Sequence, residues 1–164
     1  MKIKRILVPT DFSDHSDRAL DYAIDFARSH SAELVLVHAI EPVRYTQVMP
    51  DVSESELQER YRARAVDQLA AWEQRTKRRY RRCRSQLESG IPYEVIANAA
   101  EKLKADLIII ATHGYSGLHH LFLGSVTERV VRIAKCPVLT VRAVEAASPK
   151  QSRSRRGRRS KSSS

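Results

Sequence analysis

The residue pattern predicts an α/β fold: a single-domain, open, parallel five-stranded sheet in the order 3-2-1-4-5, with helices on both faces. Three observations carry that expectation. Short apolar runs alternate with helix-period stretches from residue 3 to residue 141, the pattern of parallel strands joined by right-handed crossovers. Two of the runs, Leu34-Val-Leu-Val37 and Leu107-Ile-Ile-Ile110, are apolar without interruption, as strands covered on both faces must be. At 164 residues, the chain holds one domain with room for a sizeable core.

The elements follow in order. Ile3 to Val8 is a β-branched run ended by Pro9 and reads as the first strand. Asp14 to Ser29 places Ala19, Leu20, Ala23, Ile24 and Ala27 on one helical face, and Asp11 or Ser13 can cap its start. Glu33 to Ile40 is the second strand, and Pro42 to Ser53 a loop with two prolines. The next helix spans Glu54 to Arg79, its stripe formed by Leu57, Tyr61, Ala65, Leu69 and Trp72 and extended to Tyr80. Arg81 to Glu88 alternates loosely, with Cys83, Ser85 and Leu87 on one face. Its arginines suit an edge strand, where charge discourages further pairing. Gly90 turns the chain, and Pro92 opens a helix to Lys104 with Val95, Ile96, Ala99 and Leu103 inward. Asp106 to Ile110 is the fourth strand, Gly124 to Lys135 the last helix, and Pro137 to Val141 the fifth strand.

Charge divides the chain in two. Ser148 to Ser164 carries seven Lys or Arg (Lys150, Arg153, Arg155, Arg156, Arg158, Arg159 and Lys161) and no acid, so it reads as a disordered Ser/Arg tail. Residues 1–147 form the α/β domain and hold 22 cations against 19 acids, a balance of +3. The tail alone can attract polyanions weakly, including nucleic acid, and it carries no aromatic residue to read bases. The basic run Lys77-Arg78-Arg79-Tyr80-Arg81-Arg82 suits a solvated face, or contact with RNA or acidic protein. No apolar run approaches the roughly 20 residues of a membrane helix, and no signal-peptide pattern opens the chain. Cys83 and Cys136 lack metal spacing and read as idle thiols, which suits a reducing cytoplasm.

The chemistry-bearing stretch is Ala111 to Thr127. A buried strand runs into a glycine-punctuated loop, and the helix that follows opens on Gly124-Ser125-Val126-Thr127. Unpaired N–H groups at such a helix start, with small residues and two hydroxyls beside them, suit phosphate oxygens as well as an ordinary capped terminus. His113 lies in the same loop and can touch a phosphate or serve the loop itself; His119 and His120 follow it with no catalytic role assigned. In the order 3-2-1-4-5 the winding reverses between strands one and four, where ligands of open sheets bind. Pro9-Thr10-Asp11 ends strand one at that point. Asp11 can accept hydrogen bonds from a ribose or cap the following helix, and the Thr10 backbone can meet a base edge. His38 reads as a packing or hydrogen-bonding residue at a strand end. The chain has no Gly-Lys-Ser/Thr phosphate loop and no Gly-x-Gly-x-x-Gly after strand one. Ser125 has no base and orienter for a nucleophilic triad, no histidine has metal spacing, and no base for a hydrolytic water is assignable.

These residues resemble the universal stress protein family over residues 2 to 142. The resemblance is carried by Ile6-Leu-Val-Pro-Thr-Asp-Phe-Ser13, Val35-Leu-Val-His-Ala39, Asp106-Leu-Ile-Ile-Ile-Ala-Thr-His-Gly114, Leu123-Gly-Ser-Val-Thr-Glu-Arg-Val130 and Cys136-Pro-Val-Leu-Thr-Val141. It implies a Rossmann-like sheet of the adenine nucleotide alpha hydrolase type and a cytoplasmic, nucleotide-responsive regulator that binds ATP with Mg²⁺. Pro9, Thr10 and Asp11 would meet adenine and ribose, and Ala39 would flank the base. Gly114, Gly124, Ser125, Val126 and Thr127 would hold the phosphates. Ala111 stands where the ATP-binding branch has the first glycine of Gly-x2-Gly-x9-Gly-Ser/Thr, and its methyl group is expected to weaken binding without abolishing it. The resemblance also implies a homodimer through the last strand, residues 137–142, a further protein partner, and at most a slow ATPase. The alternative is a dimeric interaction module that binds no nucleotide and reaches polyanions through the tail.

Overall fold

Every element expected from the sequence forms, with ends set by local hydrogen bonding. A computed structural model of the chain describes residues 2–42, 54–112 and 124–142. Along it come β1 (Arg5–Pro9), α1 (Asp14–His30), β2 (Glu33–Ile40), α2 (Glu54–Arg79), β3 (Cys83–Ser89), α3 (Pro92–Lys102), β4 (Leu107–Ala111), α4 (Ser125–Ile133) and β5 (Val138–Val141). All pairings are parallel, and the strand order is β3-β2-β1-β4-β5. The strand order expected from the sequence is the one observed.

Alternation along the inner strands divides the core into two layers. Ile6, Val8, Leu34, Leu36, Leu107 and Ile109 face α1 and α2, where Ala19, Leu20, Ala23, Ile24 and Leu69 meet them. Leu7, Val35, Val37, Ile108 and Ile110 face α3 and α4, against Val95, Ile96, Ala99 and Val130. Such side chains, fully removed from water, each contribute on the order of 1.5–3 kcal/mol.

The shifted boundaries have physical causes. β1 begins at Arg5 because the Asp106 carboxylate accepts the N–H groups of Lys4 and Arg5 (2.7 and 2.9 Å), which also delays β4 to Leu107. Pro9 closes β1 from within, in register with Val37. Ser31 ends α1 in a left-handed conformation (φ 54°), and Lys104, beyond the end of α3, has φ 50°. Tyr61 departs from expectation: it is 51% exposed, although Ala65 and Leu69 below it are buried. It lines a surface depression beside Ile40, the last residue of β2, where cover by the sheet runs out.

Polar contacts tie the elements together. Glu33 on β2 accepts from Arg5 on β1 (2.7 Å) and Arg84 on β3 (2.8 Å). Burial alone would raise its carboxyl, but those two guanidinium groups hold it below the ordinary value of 4.5. Tyr80 donates its hydroxyl toward the carbonyls of Ala27 and Ala32 (3.2 and 2.6 Å), fixing the α2–β3 corner on α1. Cys83 and Cys136 are free thiols, and burial pushes Cys83 up to about 12, so it rests protonated. No described helix is long and apolar enough to cross a membrane.

Candidate functional site

β1 and β4 lie side by side, yet α1 packs on one face of the sheet and α4 on the other. The helices that follow the two strands therefore lie on opposite faces, and a crevice opens beyond the strands' carboxyl ends. It is a cavity of about 450 Å³, within the roughly 300–1,000 Å³ of small-molecule sites. Pro9, Thr10, Asp11, Ala39, Ala111, Gly124, Ser125, Val126 and Thr127 all line it. His113 and Gly114 lie outside the described residues, as do His119, His120, the greater part of the 42–53 loop and the Ser/Arg segment.

The Pro9–Ser13 wall is built by short-range hydrogen bonds. Thr10 donates its N–H to Val37 (2.9 Å), its carbonyl accepts Nδ1–H of His38 (2.7 Å), and its hydroxyl accepts the N–H of Phe12 (3.0 Å). The expected base contact from the Thr10 backbone is thereby narrowed to the second lone pair of its carbonyl. Since a carbonyl only accepts, the proton on His38 sits at Nδ1. Burial holds this imidazole below its ordinary 6.5, against the pull of the Thr10 carbonyl and the Asp11 carboxylate.

Of the two roles the sequence left open, capping of α1 falls to Ser13 and not to Asp11. The Asp11 Oδ1 accepts the Ser13 N–H (3.1 Å) and the hydroxyls of Ser13 and Ser16, while Ser13 caps α1 by accepting from the Ser16 N–H (3.2 Å). Ser13 is therefore the cap, and Asp11 orients it while lining the cavity. Between them Phe12 is held at φ 64°, a strained value for an aromatic residue. Its ring lies 4.3 Å from that of His38 and 5.7 Å from that of Trp72, contacts that offset the strain.

The opposite wall is the start of α4. Gly124 is the N-cap and supplies no side-chain cap, and its own N–H donates to the Thr112 carbonyl (2.7 Å). Among the described residues, no acceptor meets the N–H groups of Ser125, Val126 or Thr127. An uncapped helix start of this kind draws anions. Of the two hydroxyls expected to face a phosphate, only Ser125 is exposed. Thr127 is 4% exposed and donates to the Ala111 carbonyl (2.7 Å), clamping α4 to β4.

Ala111 itself is regular strand, and its φ is not among the positive values. Its methyl belongs to the α1-side layer with Leu107 and Ile109, whereas Val37, Ala39, Ile96 and Ile110 present the opposite layer to the cavity. The sequence reading missed Ser16, Val37, Glu41, Pro92, Ile96 and Ile110 of the lining. Two of these had a local signal: Val37 precedes Ala39 by one strand period, and Ile96 follows Pro92 by one helical turn. The described lining includes Asp11 and Glu41 but no Lys or Arg, and no group of three possible metal ligands occurs among the described residues.

Comparisons with known proteins point one way. The model of the universal stress protein family matches residues 2–142. A universal stress protein of Thermus aquaticus is 40% identical over 144 residues, covering 85% of this chain and 98% of its own. The solved structure of universal stress protein UspA from Lactobacillus plantarum is 28% identical with a TM-score of 0.75, covering 87% and 99% of the two chains. A universal stress protein solved in complex with cAMP is 26% identical with a TM-score of 0.66, over 87% and 98%.

Proposed function

The chain belongs to the universal stress protein family, and from that premise we propose that it binds an adenine nucleotide, ATP with Mg²⁺, at the crevice between β1 and β4. The observation that carries this reading is the contrast between helix starts around the cavity. At α1 the Ser13 side chain accepts the Ser16 N–H, whereas at α4 no side chain caps the start and no described residue accepts the N–H groups of Ser125, Val126 or Thr127. Pro9, Thr10 and Asp11 hold adenine and ribose, with Ala39 beside the base. Gly114, Gly124, Ser125, Val126 and Thr127 hold the phosphates, Thr127 through its backbone because its hydroxyl is engaged. With Asp11 and Glu41 in the lining and no described cation there, phosphate charge needs a divalent ion arriving with the ligand. The cAMP complex of a relative supports an adenylate in this fold.

The nucleotide acts as a signal to a cytoplasmic dimer, paired through residues 137–142, and alters its affinity for a protein partner; any turnover is slow. Isothermal titration of the chain with ATP and Mg²⁺ tests the first step. Saturable heat is expected below millimolar ATP, and Gly124→Glu, which sets a carboxylate at the anion-facing helix start, should remove it. A second reading, a dimeric interaction module without nucleotide, is favoured by the acidic lining alone. Absence of heat at millimolar ATP from a folded dimer would select it.

A further inference from the structure

The end of the sheet opposite the cavity carries most of the domain's positive charge. The strands begin there, so the helices that return to them end there. Backbone hydrogen bonds hold the junctions together: Glu33 to Lys4 (2.7 Å), Leu34 to Arg82 (2.8 Å), Asp106 to Arg5 (2.9 Å) and Ile108 to Pro137 (3.0 Å). Residues 2–5, 28–33, 77–84, 101–106 and 132–137 compose this pole. They contain fourteen Lys or Arg and three acids (Glu33, Glu101 and Asp106), a net of +11. Since residues 1–147 total +3, the rest of that stretch carries −8. Even counting the helix acids that pair with pole cations (Asp21, Asp25, Glu73 and Glu128), +7 remains.

Helix C-termini welcome cations, and Lys77, Arg78, Arg79, Lys102 and Arg132 sit in last turns for that reason. Lys2, Lys4, Arg81 and Lys104 lie outside the helices, so the macrodipole does not explain them. Lys2, Lys4, Arg78, Arg81, Lys102 and Lys104 are exposed and make no ion pair among the described residues. Concentrating like charges on one surface costs folding free energy through self-repulsion, which an anionic partner would relieve.

The partner's chemistry follows from what accompanies the charge. The pole's two rings are Tyr80, half-buried with its hydroxyl engaged, and His30, stacked on Phe26 with its Nδ1 at the Phe26 carbonyl (2.9 Å); no Phe, Tyr or Trp ring is exposed there to stack on single-stranded bases. Ile133 is the one large apolar side chain exposed there (46%), too little to enter a lipid surface. The 77–84 segment holds five arginines to one lysine, and arginine's planar fork matches phosphate. We propose that this pole docks the phosphate backbone of double-stranded nucleic acid, without reading its bases and without involving the cavity.

The test is fluorescence anisotropy of labelled 20-base-pair DNA and RNA duplexes with the full chain across a salt series. Two variants accompany it: Arg78→Glu with Arg81→Glu at the pole, and Gln at all seven cations of residues 148–164. The segment variant should still bind with steep salt dependence. The pole variant should bind at least about tenfold more weakly near 50 mM salt, with its salt slope reduced by about 1.8. The proposal fails if the segment variant loses duplex binding while the pole variant matches the parent, or if the parent binds no duplex at that salt. Preferential binding of phosphatidylserine vesicles over both duplexes would equally overturn it. ATP titration reports on the cavity separately, so the two readings fail independently.

Discussion

Ala111 shows how one residue's meaning depends on where its methyl group goes. The sequence sets an alanine at a family glycine, which suggests crowding of the ligand. The structure puts that methyl in the α1-side layer, with the strand's φ ordinary and its carbonyl accepting the Thr127 hydroxyl. Ala111→Gly should therefore change ATP affinity by less than about threefold, or ~0.7 kcal/mol, in a calorimetric titration. A tenfold gain would show that the methyl does crowd the site. His38 supplies a second residue-scale expectation. Its native imidazole titrates below 6.5, so the unfolded chain takes up the proton first as pH falls. Its contribution is complete above pH 6.5 and is lost as pH drops from there toward the lowered native value. His38→Asn keeps a donor for the Thr10 carbonyl and cannot titrate. Urea midpoints measured at pH 7.5 and 5.5 should fall less steeply for that variant, and equal slopes would refute the assignment.

At the scale of elements, three helix starts near the cavity differ in how their N–H groups are met. At α1 the Ser13 hydroxyl accepts the Ser16 N–H, and α4 has no side-chain cap at Gly124. α3 begins at Ile91, an extended residue (φ −69°, ψ 123°) with no capping side chain and Pro92 next in line. Ile91 is 44% exposed, so little burial is lost by replacing it. The Glu94 N–H already donates to the Ile91 carbonyl (3.0 Å), and no described acceptor meets the Tyr93 N–H. Ile91→Asp should stabilise the fold by about 1 kcal/mol in urea denaturation, because the carboxylate reaches that N–H and Ile cannot. No gain would refute this account of the cap. The pairs Asp17–Arg75 and Asp21–Arg79 join α1 to α2 at matching four-residue steps. Their exposure limits each to about 0–1 kcal/mol, so they set registry more than stability.

For the whole molecule, the outer edge at β5, which pairs with no second strand among the described residues, bears on assembly. The carbonyls of Pro137 and Val141 accept from β4 (3.0 and 2.9 Å), and alternation turns the Thr140 N–H outward. Thr140→Pro removes that outward donor and spares the β4 ladder. Light scattering should then show the proposed dimer shifted to monomer at micromolar concentration, with the circular dichroism of the fold retained. A dimer unchanged by this substitution would move the interface elsewhere. The same whole-molecule geometry keeps the cavity and the basic pole at opposite ends of the strands, so one chain can present both surfaces at once.

Local chemistry was sufficient for much of this. Apolar runs, Pro9, Pro92 and the helical stripes specified the elements and their succession along the chain, because periodicity and backbone restriction act over a few neighbouring residues. The pairing of Pro9–Asp11 with Gly124–Thr127 followed on the condition of the order 3-2-1-4-5, which dictates where winding reverses and which the tertiary structure shows. Tertiary structure alone decided which core layer received the Ala111 methyl, that Thr10 and Thr127 were already engaged, and that Ile96 and Ile110 joined the lining. It alone also gathered cations from five separated segments at one end of a domain whose total charge is small. These outcomes depend on register and packing between residues far apart in the chain, which composition and local pattern do not encode.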